Sequence, residues 1–272
     1  MKVTDFSLSQ TLECGQCFNF EKISDDEYIV VAFGRMLHVR QSKDKLEFLN
    51  ASDDDINKIW INYFDLERDY GKIKEEIVRS DPRLGTVTGR YYGIRILNQE
   101  FTETLISFII SQNKNIAHIK QLIRKISKEY GTYIDSFNGR PYYSFPALDA
   151  LDLISEEDFR NLKTGFRAPY LRDAVNRLVS GEINGDELKE LPYEEAKEKL
   201  KIIKGVGDKV ANCVLLFSLG FRSAFPVDVW IKRIITEMYD GKTEYAVNLF
   251  GEYGGYAQQY LFMYSRERLY RN

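Results

Sequence analysis

The chain has 272 residues, of which 44% are hydrophobic and 29% charged, and its formal net charge is −3. No apolar run approaches the roughly 18 residues of a membrane span, and the first ten residues lack a signal peptide's apolar centre. We therefore expect an intracellular protein without membrane contact, in the cytoplasm or nucleoid if the source is prokaryotic. The acidic balance argues mildly against a general nucleic-acid binder.

The first third of the chain predicts a small antiparallel sheet. Short, partly alternating runs recur at Tyr28–Phe33, Met36–Arg40 and Leu46–Leu49. Ser52 then predicts an N-cap for a helix that continues through Trp60. From about residue 101, nearly every periodic run predicts a helix instead, namely Phe101–Ser111, Asn115–Tyr130, Glu156–Lys163, Pro169–Leu178, Tyr193–Ile203 and two helices flanking Asp228.

These elements predict an α+β fold. We expect an N-terminal antiparallel sheet domain at residues 1–84 and a mostly helical domain at residues 85–272, in two lobes with the active site between them. The junction is predicted at Asp81–Gly85, where proline and glycine interrupt the periodic pattern.

Residues 200–235 predict a helix, a glycine-rich turn and a second helix. The first helix ends before Gly205-Val206-Gly207, and an apolar periodic run restarts near Asp208. Glycine permits a tight turn and close approach to another molecule, so the first-turn amides of the second helix can face a phosphate. Seven lysines and arginines against two acids in residues 199–235 predict a basic surface on an acidic protein.

A lysine and an aspartate follow this turn at a specific spacing. Lys209 enters the second helix, and Asp228 comes 19 residues later (228 − 209 = 19) in the order Pro-Val-Asp-Val. Asp228 is a candidate N-cap of a helix at Val229–Tyr239, which would bring the amine and the carboxylate to one cleft. Taken singly, Lys209 is more readily a solvated lysine and Asp228 only a cap, although capping and catalysis are compatible.

Together these residues resemble the helix-hairpin-helix Gly/Pro-Asp superfamily of DNA base-excision glycosylases, and within it the 8-oxoguanine DNA glycosylase/lyases. Further matching segments follow in the expected order at Gly15–Phe18, Tyr92–Leu97, Phe108–Ile116, Gly165–Ala168 and Ala257–Phe262. The five segments cover nearly the whole chain, so the resemblance is much more specific than the hairpin alone. It implies removal of 8-oxoguanine from duplex DNA, with associated lyase activity at the abasic site.

The implied chemistry is displacement of the base by a lysine amine, here Lys209, through a Schiff base that permits β-elimination. An ordinary lysine is almost fully protonated at neutral pH, so such a site must depress the amine's pKa by desolvation or by nearby positive charge. Asp228 would stabilise the positive charge that develops on the sugar. Because the nucleophile is a side chain, we expect no dissociable cofactor. No metal-ligating side chain is assigned, and a metal ion held by carbonyls of the hairpin loop stays an open alternative.

The resemblance also assigns a pocket for the extruded base. Cys213 lies one helical turn after Lys209 and would form one wall, with Phe262 as the opposite wall. N7 of 8-oxoguanine carries a hydrogen where guanine has only an acceptor, so the carbonyl of Gly15 would favour the lesion. Gln258 would contact the Watson–Crick edge. Read singly, these residues indicate only core packing, a turn glycine and a surface amide.

Other residues match the family's DNA contacts. Asn113, Phe166 and Arg167 correspond to residues that wedge into the stack or contact the widowed base. His118 stands where eukaryotic relatives have an arginine that contacts the opposite cytosine, which leaves the opposite-base preference open. Backbone contacts are assigned to Gly205, Gly207, Val210 and Trp230. The expected partner is double-stranded DNA containing oxidised guanine, bound by a monomer.

Two different interpretations remain. The Cys14-Gly15-Gln16-Cys17 motif is typical of a redox pair or half a zinc site, although no second such motif follows. The hairpin is also compatible with a non-catalytic DNA-binding or damage-sensing protein. The absence of cysteine after Cys213 argues against the iron-sulfur adenine-specific and thymine-glycol branches, and the hairpin lysine argues against an alkylpurine glycosylase.

Overall fold

The computed structural model describes residues 1–270, with side chains through residue 268, as a small sheet followed by a helical body. The α+β fold class is confirmed. The strands β1 (Phe20–Lys22), β2 (Glu27–Ala32), β3 (Arg35–Ser42) and β4 (Lys45–Phe48) form an antiparallel meander in chain order. Strand β2 ends before the predicted Phe33 because Phe33 and Gly34 both adopt positive φ, at 52° and 66°, which forms the turn into β3.

The helical body follows from amphipathic segments that bury one apolar face each. Its helices are α1 (Leu8–Glu13), α2 (Asp53–Asp55), α3 (Ile61–Tyr63), α4 (Tyr70–Ser80), α5 (Gly85–Arg90), α6 (Phe101–Ser111), α7 (Ile116–Tyr130), α8 (Leu148–Asp152), α9 (Glu156–Asn161), α10 (Ala168–Val179), α11 (Gly185–Glu190), α12 (Tyr193–Lys201), α13 (Asp208–Ser218), α14 (Val229–Tyr239), α15 (Thr243–Asn248) and α16 (Gly254–Tyr270). Helices α6 and α14 have the predicted bounds. Ser52 caps α2, and a π-helical turn at Ile56–Trp60 joins α2 to α3.

One element of the mostly helical body was not predicted from the sequence. Strands β5 (Tyr133–Phe137) and β6 (Arg140–Tyr143) form a hairpin, whose turn places Asn138 and Gly139 at φ of 50° and 74°. An Asn-Gly dipeptide is the strongest local hairpin signal. The hairpin packs on the outer face of the sheet, where Ile29, Val31 and Met36 meet Tyr142.

Two larger cores organise the molecule. One lies beneath the sheet and includes Tyr28, Leu37 and Trp60, and the other fills the helical body. The helical core also contains Phe18 and Tyr70, from before residue 84. The division after residue 84 and the two lobes stay predictions. Among residues 1–270, no helix is long and apolar enough to cross a membrane.

Candidate active site

The predicted helix-turn-helix forms at α12 and α13. Ile203 and Val206 are buried and anchor the turn from inside, and the Val206 amide donates to the Ile203 carbonyl at 3.0 Å. Gly205 has φ +77°, and a Cβ there would lie 2.3 Å from the Tyr170 ring. Both the left-handed backbone and the close ring therefore require glycine.

The first turn of α13 is open toward solvent. Gly207 is its N-cap and supplies no side-chain bond to the first-turn amides. Among the residues that the structure describes, nothing lies within 4 Å of where its Cβ would be. The side chain of Val210 is buried, so its contribution to DNA contact is limited to the backbone amide. This geometry suits an approaching anion, but contact by Gly205, Gly207 and Val210 stays a prediction.

The predicted basic surface around the hairpin needs correction. Lys201 bridges Glu198 and Asp208 at 2.8 and 2.9 Å, and Lys199 pairs with Glu187 at 3.3 Å. Arg222 turns inward and donates to the Leu216 carbonyl at 2.8 Å. These contacts neutralise or bury three of the seven cations. The sequence count did not include Glu187 and Glu198, which lie outside the segment, and it could not show that Arg222 turns toward a backbone carbonyl. Lys204, Lys232 and Arg233 remain exposed.

Lys209 projects from α13 toward the end of α6. Its Nζ donates to Ser111 Oγ at 3.2 Å, while Ser111 Oγ donates to the Phe108 carbonyl at 2.8 Å. The same Nζ lies 5.0 Å from the centroid of the Phe108 ring, within cation–π range. The side chain is therefore held between a hydroxyl and an aromatic face rather than extended into solvent.

Asp228 is the N-cap of α14, as predicted. Its Oδ1 accepts the amides of Trp230 and Ile231 at 3.0 and 2.9 Å. Burial raises the pKa of the Asp228 carboxyl, although these amides and the positive charge of Lys209 oppose that shift. Both capping bonds use Oδ1, so Oδ2 has no part in holding the helix.

Lys209 and Asp228 line one cavity of about 770 Å³. Six other predicted site residues share its wall: Gly15, Asn113, Cys213, Trp230, Gln258 and Phe262. The cavity lies between the N-termini of α13 and α14, the end of α6 and one face of α16. The remaining predicted residues lie outside its lining: His118, Phe166, Arg167, Gly205, Gly207 and Val210.

The residues predicted to form the base pocket all line the cavity. Gly15 has φ +81°, and its Cα faces the Phe262 ring so closely that a Cβ would lie 3.4 Å from two ring carbons. Cys213 also lines the cavity, one turn beyond Lys209 on α13. Burial raises the pKa of the Cys213 thiol to about 11, so at neutral pH this wall is a neutral, polarisable surface.

The side-chain amide of Gln258 has one satisfied and one unsatisfied hydrogen-bonding group within the described residues. Its side chain is only 4% exposed, and its Nε2 donates to the Pro226 carbonyl at 3.2 Å. That bond fixes the amide orientation. Its Oε1 is buried without a partner within the described chain, and an unsatisfied buried acceptor is costly. The amide is thus poised to accept a hydrogen bond from a ligand in the cavity.

The predicted wedge residues occupy two neighbouring loops. Asn113 is exposed with φ +52°, directly after α6, and Phe166 is 51% exposed in the turn before α10. Arg167 is only 3% exposed, so it is turned inward here, and its contact with the widowed base stays a prediction. Its guanidinium donates to the Gln112 and Thr164 carbonyls and stacks 4.2 Å below the Phe166 ring.

His118 lies in the first turn of α7 rather than in the cavity. Asn115 caps this helix by accepting the His118 amide at 2.9 Å, and the His118 ring lies 3.2 Å from Lys114 Nζ. A contact between His118 and the opposite base stays a prediction.

The Cys14-x-x-Cys17 motif is structural in this fold. Both thiols are free and buried, and burial raises the pKa of Cys14 to about 12 and that of Cys17 still further. A redox pair instead needs a thiolate with a lowered pKa. Within residues 1–270, no cluster of three potential metal ligands is present.

Sequence reasoning missed several lining residues. Phe217 follows Cys213 by four residues, so the stripe that begins at Lys209 could have predicted it. Ser111 belongs to a quoted family segment, but its contact with Lys209 depends on how α6 packs on α13. Arg266 lines the cavity four residues after Phe262, and the same helical spacing could have indicated it.

The fold and this cavity define a helix-hairpin-helix protein with a lysine and an aspartate facing a common nucleotide-sized space. The family model described as HhH-GPD superfamily base excision DNA repair protein matches residues 106–247. The chain therefore belongs to this superfamily. A second model, described as 8-oxoguanine DNA glycosylase, N-terminal domain, matches residues 1–105.

Individual relatives agree with this assignment. The chain is 30% identical to N-glycosylase/DNA lyase OGG1 of Arabidopsis thaliana over 96% of its own length and 77% of that protein. It is 31% identical to N-glycosylase/DNA lyase of Saccharomyces cerevisiae, covering 87% and 69% of the two chains. The crystal structure of Clostridium acetobutylicum 8-oxoguanine glycosylase/lyase, in complex with double-stranded DNA containing cytosine opposite 8-oxoguanine, is similar with a TM-score of 0.93. Its identity is 40%, with coverage of 97% of this chain and 93% of that one.

Proposed function

We propose that this chain is a bifunctional DNA glycosylase/lyase that removes 8-oxoguanine from duplex DNA in base-excision repair. The observation that carries the proposal is the single cavity that combines Lys209, Asp228 and the unpartnered Oε1 of Gln258. An amine, a carboxylate and a base-reading amide are the groups that imine-forming base excision needs. The names of the relatives support the same activity.

The proposed reaction begins when the lesion leaves the helix and enters between Cys213 and Phe262. Lys209 attacks C1′ of the deoxyribose as the bond from C1′ to the base nitrogen breaks, and the electron pair of that bond leaves with the base. Asp228 stabilises the positive charge on the sugar during this step. The C1′–O4′ bond of the sugar then breaks, O4′ takes up a proton, and a Schiff base forms between C1′ and Lys209. Removal of a proton from C2′ of the sugar then eliminates the 3′ phosphate.

The other assignments follow from this proposal. The Gly15 carbonyl accepts the N7 hydrogen of the lesion, and Gln258 accepts from its Watson–Crick edge. Asn113 and Phe166 fill the space that the extruded nucleotide leaves. Both catalytic groups come from one chain, so a monomer is sufficient. Because the substrate is DNA, the protein acts in the compartment that contains the DNA.

The test uses a duplex with one 8-oxoguanine and a matched undamaged duplex. We expect the wild-type protein to release the free oxidised base and then cleave the strand, and Lys209→Gln to do neither while still binding the lesion. The control Lys204→Gln removes a neighbouring exposed lysine and is expected to keep base release. Binding by the wild-type protein without base release would instead favour a damage sensor.

A further inference from the structure

Arg266 occupies a part of the cavity wall for which the base-excision chemistry has no assigned role. Helix α16 presents Gln258, Phe262 and Arg266 at intervals of four residues, so all three project from one helix face. All three line the cavity. With a rise of about 1.5 Å per residue, Gln258 and Arg266 lie about 12 Å apart along the helix axis.

Arg266 lies at the more exposed end of the cavity and close to the helix that Asp228 caps. Gln258 is buried at the deep end, whereas Phe262 and Arg266 are partly exposed. Ser265, the residue before Arg266, donates from Oγ to the Trp230 carbonyl at 2.8 Å. This bond ties the Arg266 turn of α16 to the first turn of α14, which Asp228 caps.

The Arg266 guanidinium forms no salt bridge in the described part of the chain. Its Nη1 donates to the neutral Glu13 carbonyl at 2.9 Å. By contrast, two nearby arginines are neutralised, since Arg268 pairs with Glu237 and Arg90 pairs with Glu267. A partly buried cation without a carboxylate is costly unless an anion binds it. Its planar guanidinium matches a phosphate with two parallel hydrogen bonds.

We propose that Arg266 binds a phosphodiester that flanks the extruded nucleotide, an inference that rests on the proposed glycosylase function. A nucleotide enters this cavity base first, so its backbone phosphates stay at the more exposed end, where the guanidinium lies. The bond from Nη1 to Glu13 orients the guanidinium and leaves other N–H donors for the phosphate. The contact holds the nucleotide outside the helix while Gln258 contacts the base at the deep end.

The experiment measures binding to a duplex with a tetrahydrofuran abasic analogue, which has a backbone but no base. We expect Arg266→Ala to weaken this binding about tenfold, typical of one charge-assisted hydrogen bond. The slope of log affinity against log salt should fall by about 0.9, as for one lost phosphate contact. Arg268→Ala is the matched control, because it removes a nearby arginine that is already paired, and it should leave both quantities unchanged.

A methylphosphonate scan identifies the partner. Neutralising the contacted phosphate should cost the wild-type protein about tenfold in affinity and cost Arg266→Ala nothing further. Arg266→Lys should retain the wild-type salt slope because it keeps the charge. Thermal unfolding of each variant separates a folding defect from a lost contact.

The inference fails if Arg266→Ala keeps wild-type affinity and salt slope on the abasic duplex. It also fails if no methylphosphonate position distinguishes that variant from the wild type. A loss confined to duplexes that retain the oxidised base would show contact with the base instead. Failure of the proposed function is a separate result, in which the wild-type protein releases no base.

Discussion

Asp228 serves as a helix cap and, in our proposal, as a catalytic charge, and two substitutions separate these roles. Asparagine accepts the same amide hydrogen bonds as aspartate, so Asp228→Asn should keep the cap and lose only the charge. Alanine should lose both. The two variants therefore share a catalytic defect but differ in stability.

The two roles of Asp228 set the expected magnitudes. Loss of the cap in Asp228→Ala should cost about 1 kcal/mol of unfolding free energy, which lowers Tm by roughly 2–4 °C in a chain of this size. Loss of the electrostatic stabilisation of the sugar should slow single-turnover base release by about 10²–10³-fold in both variants.

The pH dependence of stability supplies an independent check. Burial raises the pKa of Asp228 in the folded state above its unfolded value, so the folded protein binds this proton more tightly than the unfolded chain. Protonation of Asp228 therefore favours the folded state. This stabilisation is complete below the pKa of Asp228 in the unfolded state, and it is lost as the pH rises through the pKa in the folded state. At neutral pH, Asp228→Asn should thus be at least as stable as the wild type, and its relative advantage should disappear near pH 4, about the ordinary aspartate pKa.

Thermal unfolding at several pH values and single-turnover release of 8-oxoguanine measure both effects. The reasoning would be refuted if Asp228→Asn released the base at nearly the wild-type rate while Asp228→Ala was inactive, because capping would then be the only role. An equal loss of Tm in both variants would refute the assigned cap.

Three further substitutions test the pocket and the wedge. Gly15→Ala must adopt φ +81°, which costs about 1–2 kcal/mol, and its methyl group would contact the Phe262 ring at 3.4 Å. We expect it to slow release of 8-oxoguanine more than cleavage of a preformed abasic site, and equal slowing would contradict the pocket assignment. Gln258→Leu removes the buried unpaired Oε1 and also the Nε2 donor to the Pro226 carbonyl. These two effects on stability oppose each other, so Tm should change little, while affinity for a lesion duplex should fall about tenfold; unchanged affinity would contradict this. Arg167→Ala removes the link between the two wedge loops, so base release should slow by the same factor opposite each of the four bases, whereas a loss selective for cytosine would indicate direct reading.

Much of the fold could be predicted from the sequence, because apolar periodicity and helix capping involve residues that are close together in the chain. The bounds of α6 and α14 follow from apolar periodicity and, for α14, from the Asp228 cap. The β5–β6 hairpin was missed although Asn138-Gly139 marks its turn, because the flanking strands are short and mostly exposed. Its partner is the sheet nearly 100 residues earlier in the chain.

Site residues that share one helix face could be predicted from the sequence. Contacts between residues of two different elements could not. Lys209 and Cys213 follow from helical spacing, whereas the contact between Lys209 and Ser111 joins residues 98 positions apart. Arg167 shows the same limit, since its burial depends on the Gln112 carbonyl in another loop. Such contacts are decided by tertiary packing, which local patterns do not encode.

The central claim is that the ε-amino group of Lys209 forms the covalent intermediate. Its most direct test is borohydride reduction of the wild-type protein during reaction with an 8-oxoguanine duplex, followed by peptide mapping of the protein–DNA adduct. The account predicts an adduct on Lys209 that is absent in Lys209→Gln. An adduct on another residue, or base release without any trapped adduct, would contradict it.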